Sequence, residues 1–284
     1  MPTDNYTLLT IDAFTDEPFK GNPAAVCLLP ESDEYPPDSW LLSLAQEMNL
    51  SETVYLRPRP SDDGYDIRWF TPGLEVKLCG HATLASAHAL LELGLVDRGV
   101  PIGFHSRWSG VLTATRDESG WIELDFPARR ITEQAPPAGA IETLGATPAS
   151  VCFGEQAYYA VFENEAQVRA LTPDFTALAK FDPVEQLEGI VATAPGDEEG
   201  IDFVSRFFAS PAGIDEDPVC GSAHCGLAPL WAQKLGKDEF VARQVSERGG
   251  VLRVKLEGDR VKIAGQAVTV VRGEVAAMPA VSAG

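Results

Sequence analysis

A cysteine at the first turn of a helix can do acid–base or nucleophilic chemistry, and this sequence offers one twice. Cys79-Gly80-His81-Ala82 and Cys220-Gly221-Ser222-Ala223 each open a run of small and apolar residues that stops at a glycine, Gly94 and Gly236 respectively. A helix N-terminus favours the thiolate and leaves backbone N–H groups free to hold a carboxylate. Gly80 and Gly221 remove the side chain that would block that approach. If the two halves of the chain face each other, Cys79 and Cys220 would flank one ligand and could take a proton from one side of a carbon and return one on the other. The plainer reading is two structural cysteines, since free cysteine is among the most buried residue types.

Glu52 is a third candidate. Leu50 to Leu56 reads as a strand with Leu50, Glu52, Val54 and Leu56 on one side, and a carboxylate on an apolar face is costly to bury, which suits a proton carrier. A partly wet edge strand is the alternative. Asn22 lies in Gly21-Asn22-Pro23, which is turn chemistry, with a ligand contact as the other reading. Cys79, His81, Cys220, His224 and Cys225 could be drawn as metal ligands. Cys220 and His224, four apart, share a helix face; Cys79 and His81, two apart, are a less natural pair, and C-x-x-C is missing, so no metal is expected. A Cys-His hydrolase using His81 or His224 lacks a recognisable third group to orient the base. His88 and His105 read as structural, and Cys27 and Cys152 as strand core.

The elements that would position these residues also come in duplicate. Arg68, two aromatics, a turn and an acidic residue lead to Cys79; Arg206-Phe207-Phe208, Pro211, Gly213 and Asp217 lead to Cys220, 141 positions later and close to half of the 284 residues. The repeat implies two similar domains, 1–128 and 129–284, with the last strand, about 273–284, able to return to the first. In the first half, alternation predicts strands at Tyr6–Phe14, Ala24–Leu29, Leu50–Leu56 and Tyr65–Phe70, then short strands from Pro101 to Phe126. Pro36–Asn49 is an amphipathic helix, and the helix after Cys79, apolar almost all round, must be enclosed on every side. Residues 128–150 read as a linker. Strands follow near Val151–Phe162, a helix from Pro173-Asp174 to about Phe181, then strands at Gly189–Thr193, Phe203–Phe208, Val251–Leu256, Val261–Ile263 and Val268–Val271. Pro229 should kink the second helix or cost it a hydrogen bond.

The totals exclude several functions. A net charge of −20 and a pI near 4.5 oppose binding to nucleic acid or an anionic membrane surface. A carboxylate substrate must therefore be caught by local donors such as helix N-termini. Five cysteines, an odd number, fit a reducing compartment rather than a disulfide framework. Met1-Pro2-Thr3-Asp4-Asn5 carries no basic or apolar leader pattern and no apolar run is long enough to span a bilayer, so the expected location is cytoplasmic.

Asp12-Ala-Phe-Thr with Gly21-Asn22-Pro23-Ala24, Ser51-Glu52-Thr53, Cys79-Gly80-His81-Ala82-Thr83 and Glu216-Asp217-Pro218-Val219-Cys220-Gly221-Ser222-Ala223-His224 together resemble the phenazine biosynthesis isomerase-like (PhzF-like) family, of the diaminopimelate epimerase-like superfamily, in order over nearly the whole chain. The resemblance implies an α+β fold of two similar domains, each a β-barrel-like sheet wrapped around a central helix, with the active site in the cleft between them. The family enzyme that isomerises a dihydro-hydroxyanthranilate uses a glutamate shuttle with a histidine, an aspartate and a serine; motif for motif these would be Glu52, His81, Asp217 and Ser222. That enzyme has alanine and threonine where Cys79 and Cys220 stand. Related epimerases and racemases have both cysteines and lack the glutamate. This sequence carries both sets. The expectation is a cofactor-independent isomerase acting on a small carboxylate-bearing substrate. Glu52 would be the acid/base, His81 and Asp217 would position or relay, and the amides of Gly80, Gly221 and Ser222 would hold the carboxylate. A two-thiol amino-acid epimerase and a non-catalytic binding protein of the same fold are the alternatives. A homodimer is implied by resemblance alone.

Overall fold

Where side chains alternate, strands form, and the N-terminal segment starts the first sheet. The computed structural model describes residues 6–32, 34–59, 64–181 and 187–276. β1 (Tyr6–Ala13) turns back as β2 (Asn22–Leu28), and α1 (Asp38–Met48) crosses over to β3 (Glu52–Pro58), parallel to β2. β4 (Gly64–Phe70) is antiparallel to β3, and β5 (Glu75–Val76) folds back on β4. α2 (Gly80–Glu92) leads to β6 (Ile102–Ser106), parallel to β4, and to β7 (Gly110–Arg116) and β8 (Ile122–Pro127).

The second half repeats that order. β9 (Ser150–Gly154) and β10 (Ala157–Val161) form a hairpin, and α3 (Glu165–Arg169) and α4 (Phe175–Leu178) cross to β11 (Gly189–Pro195), parallel to β10. β12 (Phe203–Ala209) is antiparallel to β11, β13 (Ile214–Asp217) folds back on it, and α5 (Gly221–Leu235) leads to β14 (Glu239–Gln244), parallel to β12. β15 (Gly250–Glu257) and β16 (Arg260–Gly265) complete the meander, and β17 (Ala267–Val275) pairs antiparallel with β1. Two units result, Met1–Leu124 with Gly265–Gly284, and Asp125–Ala264. The second unit thus closes at 264 rather than at the end of the chain, because the returning strand begins at 267, before the anticipated 273; residues 277–284 lie outside the described ones.

α2 is enclosed because its residues are small and its buried hydroxyls are satisfied within the helix. Every residue from His81 to Ala87 is buried, and the helix packs against β1, β2, β3, β7 and β17. Thr83 and Ser86 donate back to the carbonyls of Cys79 (2.6 Å) and Ala82 (2.8 Å), so neither hydroxyl is left without a partner. Leu84 and Leu90, both fully buried, each contribute roughly 1.5–3 kcal/mol. Gly94, at φ 69°, ends the run.

α5 is enclosed as well and continues past Pro229 without a break. The carbonyl of Cys225, left without its helical donor by the proline, accepts instead from Arg129 N at 3.0 Å. Gly226 lies so close to Tyr159 on β10 that a Cβ there would sit 2.1 Å from the phenol oxygen. The helix expected from Asp174 to Phe181 is only one turn, although Asp174 does cap it, accepting from Ala177 N at 2.9 Å. α3 and β14 had no clear pattern in the sequence. Among the described residues no helix is long and apolar enough to cross a membrane.

Candidate active site

The first residue of β3 and the first turn of α2 meet inside the first unit. Glu52 stands opposite Ala24 in the parallel β2–β3 ladder, two residues past Asn22. Both faces of β3 are buried: Thr53 and Tyr55 are as enclosed as Val54 and Leu56, so this is not the partly wet edge that the alternation allowed. Tyr55 packs toward α1 and donates to Leu41 O at 2.5 Å, while Glu52 reaches α2. Asn22 is fully buried at the start of β2 and accepts from Ser51 Oγ at 3.3 Å.

Cys79 is the N-cap of α2 in extended conformation, Gly80 its first residue and His81 its second. Cys79 Sγ is 3.4 Å from His81 Nδ1, and His81 Nε2 is 3.1 Å from Glu52 Oε2. Thiol, imidazole and carboxylate therefore form one chain, and Glu52 is the orienting third group that the sequence did not disclose. The Glu52–His81 contact is an ion-pair distance but off-line for a hydrogen bond. Both atoms are consequently buried with no hydrogen-bond partner among the described residues. Burial opposes a charge on His81, yet the Glu52 carboxylate beside it outweighs that and holds the ring well above its ordinary pKa. Burial, reinforced by the Glu52 carboxylate, pushes the Cys79 thiol up.

The second unit assembles Asp217, Cys220, Gly221 and Ser222 at the start of α5. Cys220 is again an extended N-cap, and its sulfur lies 3.1 Å from Ser222 Oγ. Its N–H donates to Gln244 Oε1 at 3.0 Å, while Gln244 Nε2 donates to Asp217 O at 2.6 Å, so one buried glutamine clamps both sides of the turn. Gln244 was not legible beforehand, because β14 was not. Burial and then Asp217 push the Cys220 thiol well above its ordinary value. Both thiols thus depart from the lowered pKa expected at a helix N-terminus. Desolvation of a fully enclosed sulfur outweighs the partial positive charge of the first turn.

Register makes the two units comparable position by position. Arg68 grips Glu75 through two bonds of 2.7 and 2.5 Å, and Arg206 grips Glu216 through two of 2.8 Å, each pair holding the short strand four residues ahead of its cysteine. Thr83 and His224, each four residues after the cysteine, donate to its carbonyl at 2.6 and 2.7 Å. His81 matches Ser222. Ala24 opposite Glu52 matches Ala157 opposite Gly189, so the counterpart of Glu52 is a glycine. Any side chain there is barred: a Cβ would lie 2.0 Å from Phe208 O, and the residue has φ 155°.

The sequence profile described as phenazine biosynthesis-like protein matches residues 11–273. The chain belongs to this family. An uncharacterized isomerase of Halalkalibacterium halodurans is 47% identical over 269 residues, covering 94% of this chain and 97% of that protein. A crystal structure of a family member from Enterococcus faecalis superposes with a TM-score of 0.87 at 38% identity, covering 95% and 99% of the two chains. A probable proline racemase from Agrobacterium radiobacter, crystallised with bound carbonate, shares the fold at 17% identity and a TM-score of 0.61, over 96% of this chain and 94% of its own. The family's fold is therefore that of the racemases and epimerases, mixed α/β, with two similar units.

Proposed function

We propose that the protein is an isomerase that moves a proton on a small carboxylate-bearing substrate, with Glu52 as the acid and base. Isomerase is the class that membership of this family and the 47% identical relative support. The observation that carries the assignment of Glu52 is its buried oxygen facing the buried Nε2 of His81 at 3.1 Å, neither with a hydrogen-bond partner among the described residues. Such a pair is costly to enclose unless a ligand completes it.

In this mechanism Glu52 takes a proton from carbon α to, or conjugated with, the substrate carboxylate. Cationic His81 steadies the negative charge that develops, and Glu52 returns the proton at another carbon. The N–H groups of Gly80 and His81 precede the first intrahelical bond of α2, Thr83 N to Cys79 O, and suit the carboxylate of the substrate. Asp217, the amides of Gly221 and Ser222, and Asn22 are assigned to substrate positioning. No cofactor enters any step.

A second reading is a two-thiol epimerase, favoured by the matched N-cap cysteines Cys79 and Cys220. It asks one sulfur to remove the proton as a thiolate while the other, as a thiol, returns one, and the upward shift of both thiols opposes the first of these steps. Solvent deuterium incorporation into a panel of amino and enoic acids separates the two. Glu52→Gln should lower exchange by roughly 10²–10⁴-fold, while Cys79→Ser and Cys220→Ser keep most of it. Loss in either cysteine variant with retention in Glu52→Gln would reverse the assignment. Tight binding of a small carboxylate with no exchange in any acid tested would point to the non-catalytic alternative.

A further inference from the structure

Three ligand atoms of different kinds converge in the first unit. Cys79 Sγ, a ring nitrogen of His81 and a carboxylate oxygen of Glu52 all lie within 4.8 Å of one another. Spacing alone had argued against Cys79 and His81 as a pair. With Cys79 extended as N-cap and His81 already helical, Sγ and Nδ1 close to 3.4 Å. A tetrahedral site with bonds of ~2.3 Å to sulfur and ~2.05 Å to nitrogen has an S–N edge of ~3.6 Å, so the pair needs little movement to chelate. Glu52 Oε2 faces the other ring nitrogen, Nε2, at 3.1 Å without a hydrogen bond, so its carboxylate has to swing past the ring edge to share a cation with Nδ1, and among the described residues no hydrogen bond holds that oxygen back.

The donor set selects the occupant. Thiolate, imidazole and carboxylate together favour zinc and its thiophilic neighbours over magnesium or calcium, and three protein ligands leave a fourth position for water or a ligand carboxylate. We propose that Glu52, Cys79 and His81 form a site for one thiophilic divalent cation such as Zn2+, and that its occupancy withdraws Glu52 and His81 from proton transfer. On binding, the Cys79 thiol releases its proton to solvent as the sulfur–metal bond forms, so affinity rises with pH. Binding needs only the ligand geometry, whereas inhibition by the bound cation rests on the isomerase reading.

Co2+ titration of the metal-free protein tests it without any activity measurement. The expected result is one equivalent bound, with a thiolate-to-cobalt charge-transfer band in the near ultraviolet that Zn2+ displaces. Cys79→Ser should abolish the band. Glu52→Gln and His81→Ala should weaken binding on the order of tenfold or more, at least what losing an outer-shell partner costs. Cys220→Ser should leave it unchanged. No band in the wild-type protein, or wild-type affinity in any of the three ligand variants with a native circular dichroism spectrum, overturns the site. Should Cys79→Ser or His81→Ala fail to fold, Glu52→Gln, at the end of a strand, decides by the same titration.

Discussion

A thiol at a helix N-terminus is usually read as activated, and Cys79 and Cys220 show how burial reverses that reading. The first turn supplies a partial positive charge, but a sulfur largely withdrawn from solvent loses more by ionising than the turn returns. Each thiol has its own carboxylate neighbour working in the same direction, Glu52 for Cys79 and Asp217 for Cys220. Both should therefore react slowly with iodoacetamide in the native protein at pH 7, well below the rate for the denatured chain, and accelerate as pH rises. Peptide mapping after timed alkylation reads this directly, and fast alkylation of either residue at pH 7 would restore the thiolate. At this scale the sequence disclosed which residues matter and not their state. Residue types and motif order picked out Glu52, Cys79 and His81. Their ionisation depends on three-dimensional neighbours, and the contact that joins them, Glu52 to His81, spans 29 positions between two elements.

The duplicated elements show which positions each half could vary. The arginine–glutamate clasp and the side chain that returns to the cysteine carbonyl are kept in both, since they hold the short strand and the helix start. Thr83 does the second job with a hydroxyl, and His224 does it with an imidazole. Because His224 Nδ1 faces a carbonyl it must carry the proton, leaving Nε2 a buried acceptor beside Phe203 with no hydrogen-bond partner among the described residues. Burial lowers the pKa of this ring from 6.5 to about 4. The unfolded chain then binds more protons than the folded one between those values, so stability is full above about pH 6.5 and falls by about 3 kcal/mol as pH drops to 4. His224→Thr, the first half's own solution, should flatten that part of the acid limb. Denaturant titrations at several pH values, followed by amide exchange in α5, would show it; an unchanged slope would mean His224 titrates normally. The helices were legible here because Ala-rich apolar runs ending in glycine have few other fates. β14 and α3 were not, because five or six mixed residues carry too little period to distinguish strand, turn and helix.

At the scale of the whole molecule, the order of the chain and the order of the fold disagree in one place, and that should govern folding. The second unit is a continuous stretch, Asp125–Ala264, whereas the first needs residues from both ends, with Tyr6 opposite Val275. Closing that distance in an open chain costs roughly 2 kcal/mol more than closing a twenty-residue loop. The second unit shortens it. Its own ends are tied, Asp125 to Arg260 at 2.9 Å and to Lys262 at 3.0 Å, and Ala128 N to Asp259 O at 2.8 Å, so its folding brings the chain entering β17 back to the end of β8. Amides of β10, β11 and α5 should therefore gain protection before those of β1 and β17 in pulse-labelling hydrogen exchange. Asp125→Asn, which weakens both ion pairs, should slow the β1–β17 phase and leave the earlier one unchanged. Protection of β1 and β17 first, or a single phase for all of them, would mean that the two ends find each other without help from the unit between them.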